Sequence, residues 1–533
     1  MVLLISIFIH YFAGRNDKKG LQMIDILSYK RLRPKGSSTD KRRGFGDYKH
    51  DHRSPIESDL GRVVFSPASR RLHDKTQVFP LITDDNTHSR LTHSMEVQSI
   101  GYTFAIFLSQ SQVFCDKIGK QKGDVELFRD LYAVLSTICL THDIGNPPFG
   151  HFGEVSIQQY FKALFTEMGK DIRTFEKEHC CHSVLMKHLI EEVGEDEGRE
   201  RLQQVRDFLD NSNLLLDYTD FDGNAEGFRV LTKLQYLNDL YGMNLTSASL
   251  ASYLKYPNCS SIDKSCISQK KHGVFTTEKE RMQSVLNNCG MSDKNDNSFN
   301  RHPLSFLMEA ADTISYLCMD MEDAFSKGWV GFDDIIQLYK VEENDAWRKI
   351  VDNANSHYET DDPDEKKIVQ LRTEIIEYLV LLACENFENN IDKIFEGEYD
   401  EELVTDDKNN IAKALNDFCI NRIFRHREIE SLEITGNAVV KGIMDTYVDL
   451  LFHPDKGFRK RGKDLISKTI VMTTLQEHYD ENKSCKIAHV EYKDFDIGDL
   501  TIEERLRIIR DFVAGMTDSY ALNHYRKLSG QRI

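Results

Sequence analysis

The stretch "LSTICLTHDIGNPPFGHFGE", residues 135–154, decides how this chain is read. An apolar helical run ends in His142-Asp143, and Gly145, Pro147 and Pro148 then stop the helix and force the chain to turn. His151 and Glu154 follow at once, one helical turn apart, while Gly150 and Gly153 leave room for close approach. An unpaired carboxylate at the end of a buried helix is expensive unless it binds a cation or is fully hydrogen-bonded. His50-Asp51 and His73-Asp74 repeat the dipeptide in polar, charged surroundings. Context therefore singles out His142-Asp143.

Further ligands have to come from other helices. "SRLTHSMEV" sets His93 near the start of an amphipathic helix, beside Arg90. "LMEAADTISYLCMDMEDAF" buries Asp312 among apolar residues, with Tyr316 and Asp320 four and eight positions on. That spacing spans about 80° of helix surface, so the three share a face. Two imidazoles and two carboxylates suit a borderline or hard divalent ion with positions left for water and substrate.

Apolar residues three and four apart recur along most of the chain, in "MEVQSIGYTFAIFLSQ", "HSVLMKHLIEEVG" and "EIIEYLVLLACENFENNIDKIF" among others. Period-two strand patterns are scarce. The expected fold is mostly α, with loops at the Asp- and Asn-rich stretches and a soft boundary between Gly328 and Phe332. Over 533 residues, 40% hydrophobic and 29% charged is ordinary globular composition. A net charge of −18 argues against a general nucleic-acid coat protein. One basic segment stands apart, with Lys30, Arg31, Arg33, Lys35, Lys41, Arg42, Arg43, Lys49 and Arg53, and reads equally as a solvated arm or a polyanion contact. The 11 cysteines form no C-x-x-C, which fits reduced thiols in a cytoplasmic protein. Val2–Phe12 is apolar but short for a membrane span, and "MIDILSYKRL" from Met23 reads like an ordinary start, so residues 1–22 are set outside the fold. There is no G-x-x-x-x-G-K-[ST], which disfavours a P-loop enzyme cleaving between the β- and γ-phosphates.

The order His93, His142-Asp143, Asp312 resembles the signature of HD-domain metal-dependent phosphohydrolases. "GRVVFSPASRRLHDKTQVFPL", "THDIGNPPFGHFGE", "FDGNAEGFRVL", "LTSASLASYLKYP", "PLSFLMEAADTISYLCMDMEDA" and "FVAGMTDSYALNHYRKL" narrow the resemblance to bacterial deoxyguanosine triphosphate triphosphohydrolases, from about Arg53 to Lys527. The resemblance implies an HD-domain helical bundle core over 61–330, preceded by a basic arm at 23–60. A helical C-terminal region, 331–533, would complete the active site and supply oligomer contacts. It implies metal ligation by His93, His142, Asp143 and Asp312, with Mg²⁺ or Mn²⁺ as the ion, and an acid–base pair in His151 and Glu154. Gln77 and Val78 would lie by the sugar and base, and Asn224, Lys255, Tyr256 and Lys271 by nucleotide or phosphate groups. Tyr316 and Asp320 would meet the deoxyribose, and Arg90 a phosphate. The implied reaction is hydrolysis of a dNTP, foremost dGTP, to nucleoside and inorganic triphosphate. Family members are often homo-oligomers, some of them hexamers, and some respond to single-stranded DNA or nucleotides. Two alternatives remain: an HD hydrolase of an alarmone or cyclic nucleotide, and a nucleotide- or single-strand-binding regulatory protein.

Overall fold

A computed structural model describes residues 24–33, 52–77, 88–193, 195–235, 240–259, 262–291, 293–295, 298–338, 344–359, 362–481, 492 and 495–531. The apolar extension at 1–22 and most of the basic arm, Lys35, Lys41, Arg42, Arg43 and Lys49 included, lie outside these residues. As expected, the fold is a mostly helical bundle. Among the described residues, sheet is limited to one antiparallel pair, Asp293–Asn295 with Ser298–Phe299.

The helices that matter for the site are α1 (Pro55–Val64), α2 (Arg90–Gln110), α3 (Val125–Thr141), α4 (Gly150–Glu178), α5 (Gly223–Thr232), α6 (Ser247–Tyr253), α7 (Pro303–Ser326), α8 (Asp364–Asn389), α9 (Arg427–Phe452), α10 (Ile502–Ala514) and α11 (Asp518–Leu528). Helix α3 starts where the Asp124 side chain accepts the Glu126 amide, and every residue from Ala133 to Thr141 is buried. A helix apolar all round belongs in the middle of a bundle. Accordingly α3 packs against α1, α2, α6 and α7. Ser89 caps α2 through the Thr92 amide, and His302 caps α7 through the Leu304 amide, with Pro303 at its first position.

The apolar interior falls into two clusters. One gathers residues from Ile26 to Ile144 and from Phe228 to Ile429, around α2, α3, α7 and α8. The other runs from Phe149 to Ala225 and, apart from Phe275, resumes at Val439 through Ala521, joining α4 to α9, α10 and α11. The turn after α3 crosses the seam, with Ile144 in the first cluster and Phe149 in the second. No helix among the described residues is long and apolar enough to cross a membrane. Every described cysteine is free.

Candidate active site

The end of α3 delivers His142 and Asp143 to a point where α2 brings His93 and α7 brings Asp312. Ligand atoms of His93, His142 and Asp143 all lie within 4.8 Å of one another. Asp312 Oδ1 is 3.2 Å from His93 Nε2 and 3.4 Å from His142 Nε2. The His142 Nδ1–H donates to the Cys139 carbonyl at 2.7 Å, so Nε2 is the nitrogen left for a ligand. That Nε2 is buried without a hydrogen-bond partner, facing the two carboxylates. Burial works against charge on His142, but Asp143 and Asp312 push its pKa up to about 9. A divalent cation at this point would take the place of that proton and relieve the gathered negative charge. The donor set therefore fits a metal ion.

The turn is tightly determined. A Cβ on Gly145 would strike the backbone of Gly227, and one on Gly153 would strike the Pro148 carbonyl. Phe149 and Gly150 take φ of 65° and 61°, and Asp518 Oδ1 accepts the Phe149 amide at 2.9 Å. A non-glycine residue in the left-handed region needs such external support. Helix α4 carries His151 in its first turn, and His151 Nδ1 lies 2.8 Å from Glu154 Oε2. Glu154 is 6% exposed, and its other oxygen accepts the Gly223 amide at 2.7 Å, while the His151 side chain is 78% exposed at the mouth of the cavity. The Glu154 carboxylate raises the His151 pKa. Against the opposing effect of burial, the imidazolium in turn holds Glu154 low.

These groups line a cavity of about 550 Å³. Gln77, Arg90, His142, Asp143, His151, Asn224, Lys255, Tyr256, Lys271, Asp312, Tyr316 and Asp320 all reach it. His93 stands behind the wall, fully buried, and Val78 lies outside the described residues. Arg90 is buried and ion-paired with Asp143. Lys271 pairs with Asp222 at 3.2 Å, and Asn224 Nδ2 donates to the same residue at 2.7 Å. Burial, with Asp323 and Asp312 as like charges, holds the Asp320 carboxyl well above the usual carboxylate range. The sequence reading did not single out Asn146, Phe149, Asn416, Phe424, Ile429 or Glu433, which also line the cavity. No local pattern marks the last four, because the segments after residue 410 reach the site only through tertiary packing. A second cavity of about 480 Å³, between α5 and the α10–α11 junction, contains none of the predicted site residues.

Residues 467–527 match the family model of the phosphohydrolase-associated domain. A deoxyguanosinetriphosphate triphosphohydrolase-like protein of Listeria innocua is 30% identical over 523 residues, covering 95% of this chain and 98% of the relative. A deoxyguanosinetriphosphate triphosphohydrolase of Klebsiella pneumoniae is 30% identical over 498 residues, covering 89% and 93%.

Proposed function

Because this chain belongs to the deoxyguanosinetriphosphate triphosphohydrolase family, we propose that it hydrolyses dGTP to deoxyguanosine and inorganic triphosphate with a divalent cation bound. The observation that carries this reading is the gathering of two imidazoles and two carboxylates at the α2–α3–α7 junction, with His151, backed by Glu154, on the wall of the adjoining cavity. The volume is in the range of small-molecule sites. His93, His142, Asp143 and Asp312 would hold Mg²⁺ or Mn²⁺. Such an ion makes bound water a better nucleophile and offsets charge on an α-phosphate oxygen.

The chain's own residues do the rest. Arg90 fixes the Asp143 carboxylate and faces the phosphates, while Lys255, Tyr256, Lys271 and Asn224 receive phosphate and nucleotide oxygens. Charge stabilisation and alignment dominate phosphoryl transfer, so these donors matter more than any covalent step. With Nδ1 tied to Glu154, His151 has Nε2 free to give a proton to the departing 5′-oxygen as water attacks the α-phosphorus. Gln77 faces the sugar and base, and Tyr316 and Asp320 recognise the deoxyribose. A homo-oligomer with contacts from residues 331–533 belongs to the same proposal and is read by light scattering in solution. Chromatography of products from each of the four dNTPs with Mg²⁺ or Mn²⁺ tests the reaction. The expected products from dGTP are deoxyguanosine and intact triphosphate. Release of orthophosphate or pyrophosphate, or turnover only of an alarmone or cyclic nucleotide, would overturn it.

A further inference from the structure

Three lysines stand on the nucleotide side of the cavity wall or just behind it, and they are not equally committed. Lys271 pairs with Asp222 at 3.2 Å and Lys270 with Glu402 at 2.8 Å. Lys255 makes no hydrogen bond among the described residues. Its Nζ sits 3.6 Å from Asp312 Oδ2 and 3.6 Å from Glu309 Oε1, beyond direct contact with either. An ammonium 3.6 Å from a lone carboxylate has every electrostatic reason to close the gap. A second carboxylate at the same distance competes for the ammonium.

Glu309 lies one turn before Asp312 on α7, so both project from the same face. It is 1% exposed, and its Oε2 accepts from Arg301 Nη2 at 2.6 Å, while Oε1 has no hydrogen-bond partner. Arg301 is itself buried, with its guanidinium 4.0 Å over the Phe306 ring. The result is a row of alternating charge, Arg301, Glu309, Lys255, Asp312, anchored at its far end by a packed arginine and open at its near end to the cavity.

We infer that Glu309, fixed by Arg301, is a positioning residue that holds the Lys255 ammonium away from Asp312 and leaves its protons free for a polyphosphate. The inference deepens the functional reading above and rests on it for the identity of the anion. Without Glu309, Lys255 would fold onto Asp312, which costs the phosphate chain a donor.

The test is calorimetric binding of inorganic triphosphate, with Mg²⁺ present, to wild type, Glu309→Gln, Lys255→Met and the double variant, with thermal unfolding of each. Glu309→Gln should weaken triphosphate binding by about tenfold, a typical coupling between groups in one charge network. Lys255→Met should weaken it at least as much, and the double variant should be no weaker than Lys255→Met. A structural role alone, closing residues 299–303 onto α7, would lower the melting temperature of Glu309→Gln and leave affinity per folded molecule unchanged, which overturns the inference. A full additional loss in the Lys255→Met background overturns it too, since Glu309 would then act by another route. Failure of wild type to bind triphosphate also overturns it. Triphosphate binding without dGTP hydrolysis would instead defeat the functional reading and leave the positioning role standing.

Discussion

At the scale of single residues, the proposed mechanism separates proton delivery from metal ligation. His151 sits at the cavity mouth with Nδ1 on Glu154, while the four candidate ligands gather around His142. His151→Ala should keep its metal and lose roughly two to four orders of magnitude in kcat, the range for a positioned proton donor. Single-turnover rates set against metal content and melting temperature check this. A near-normal rate would remove His151 from the chemistry. The Glu154 carboxylate raises the His151 pKa, so the protonated donor persists to higher pH than a free imidazole would allow. Glu154→Gln should therefore move the alkaline fall of kcat to lower pH, and an unmoved profile would show that Glu154 does not set this ionisation. Tyr316 lines the cavity one turn after Asp312. Tyr316→Ala should narrow the preference for dGTP over GTP, measured as a ratio of kcat/KM, and a wild type indifferent to the 2′-hydroxyl would contradict the assignment.

At the scale of elements, helix α7 carries Asp312, Tyr316, Asp320 and Glu309, and its start depends on one histidine. His302 Nε2–H donates to the Ile26 carbonyl at 3.0 Å and Nδ1 accepts the Leu304 amide at 3.2 Å, so the folded protein holds it neutral. Burial pushes its pKa down from 6.5 to about 4. Below pH 6.5 the unfolded chain takes up a proton that the folded one refuses, so this stability is complete above about 6.5 and drains away as the pH falls toward 4. A displacement of that size amounts to about 3 kcal/mol. His302→Asn retains a cap acceptor and should flatten the melting temperature between pH 6.5 and 4, whereas an unchanged slope would place the acid sensitivity elsewhere. The helices themselves were legible from apolar spacing, and the gathering of His93, His142, Asp143 and Asp312 from polar groups set in apolar helices together with the ordered motifs of the resembled family. The turn was legible from its prolines and glycines. The left-handed Phe149 was not, because Asp518, far away in the chain, supports it. Nothing in the local sequence marks Glu309, and only the approach of Lys255 and Arg301 gives it meaning.

At the scale of the molecule, the 467–527 segment is joined to helix α5 by buried charge. Arg229 on α5 is fully buried and pairs with Asp511 at 2.7 Å, Glu278 at 2.7 Å and Glu477 at 3.3 Å. Lys233 reaches Glu278 at 2.5 Å and also pairs with Glu477. Helix α5 supplies the Gly223 amide to Glu154 at one end and Arg229 to this network at the other, so the C-terminal helices support the site through it. Removing one member strands the rest without a counter-charge. Arg229→Met should cost about 3–5 kcal/mol in denaturant unfolding. A loss below about 1 kcal/mol would mean that the network is not a structural link.

In the proposed reaction, water is directed to the α-phosphorus of dGTP and the 5′-oxygen is expelled. Turnover of dGTP in water carrying heavy oxygen, with both products weighed by mass spectrometry, tests it most directly. The expected products are unlabelled deoxyguanosine and triphosphate carrying one labelled oxygen. Labelled deoxyguanosine, or dGMP with pyrophosphate, would contradict it.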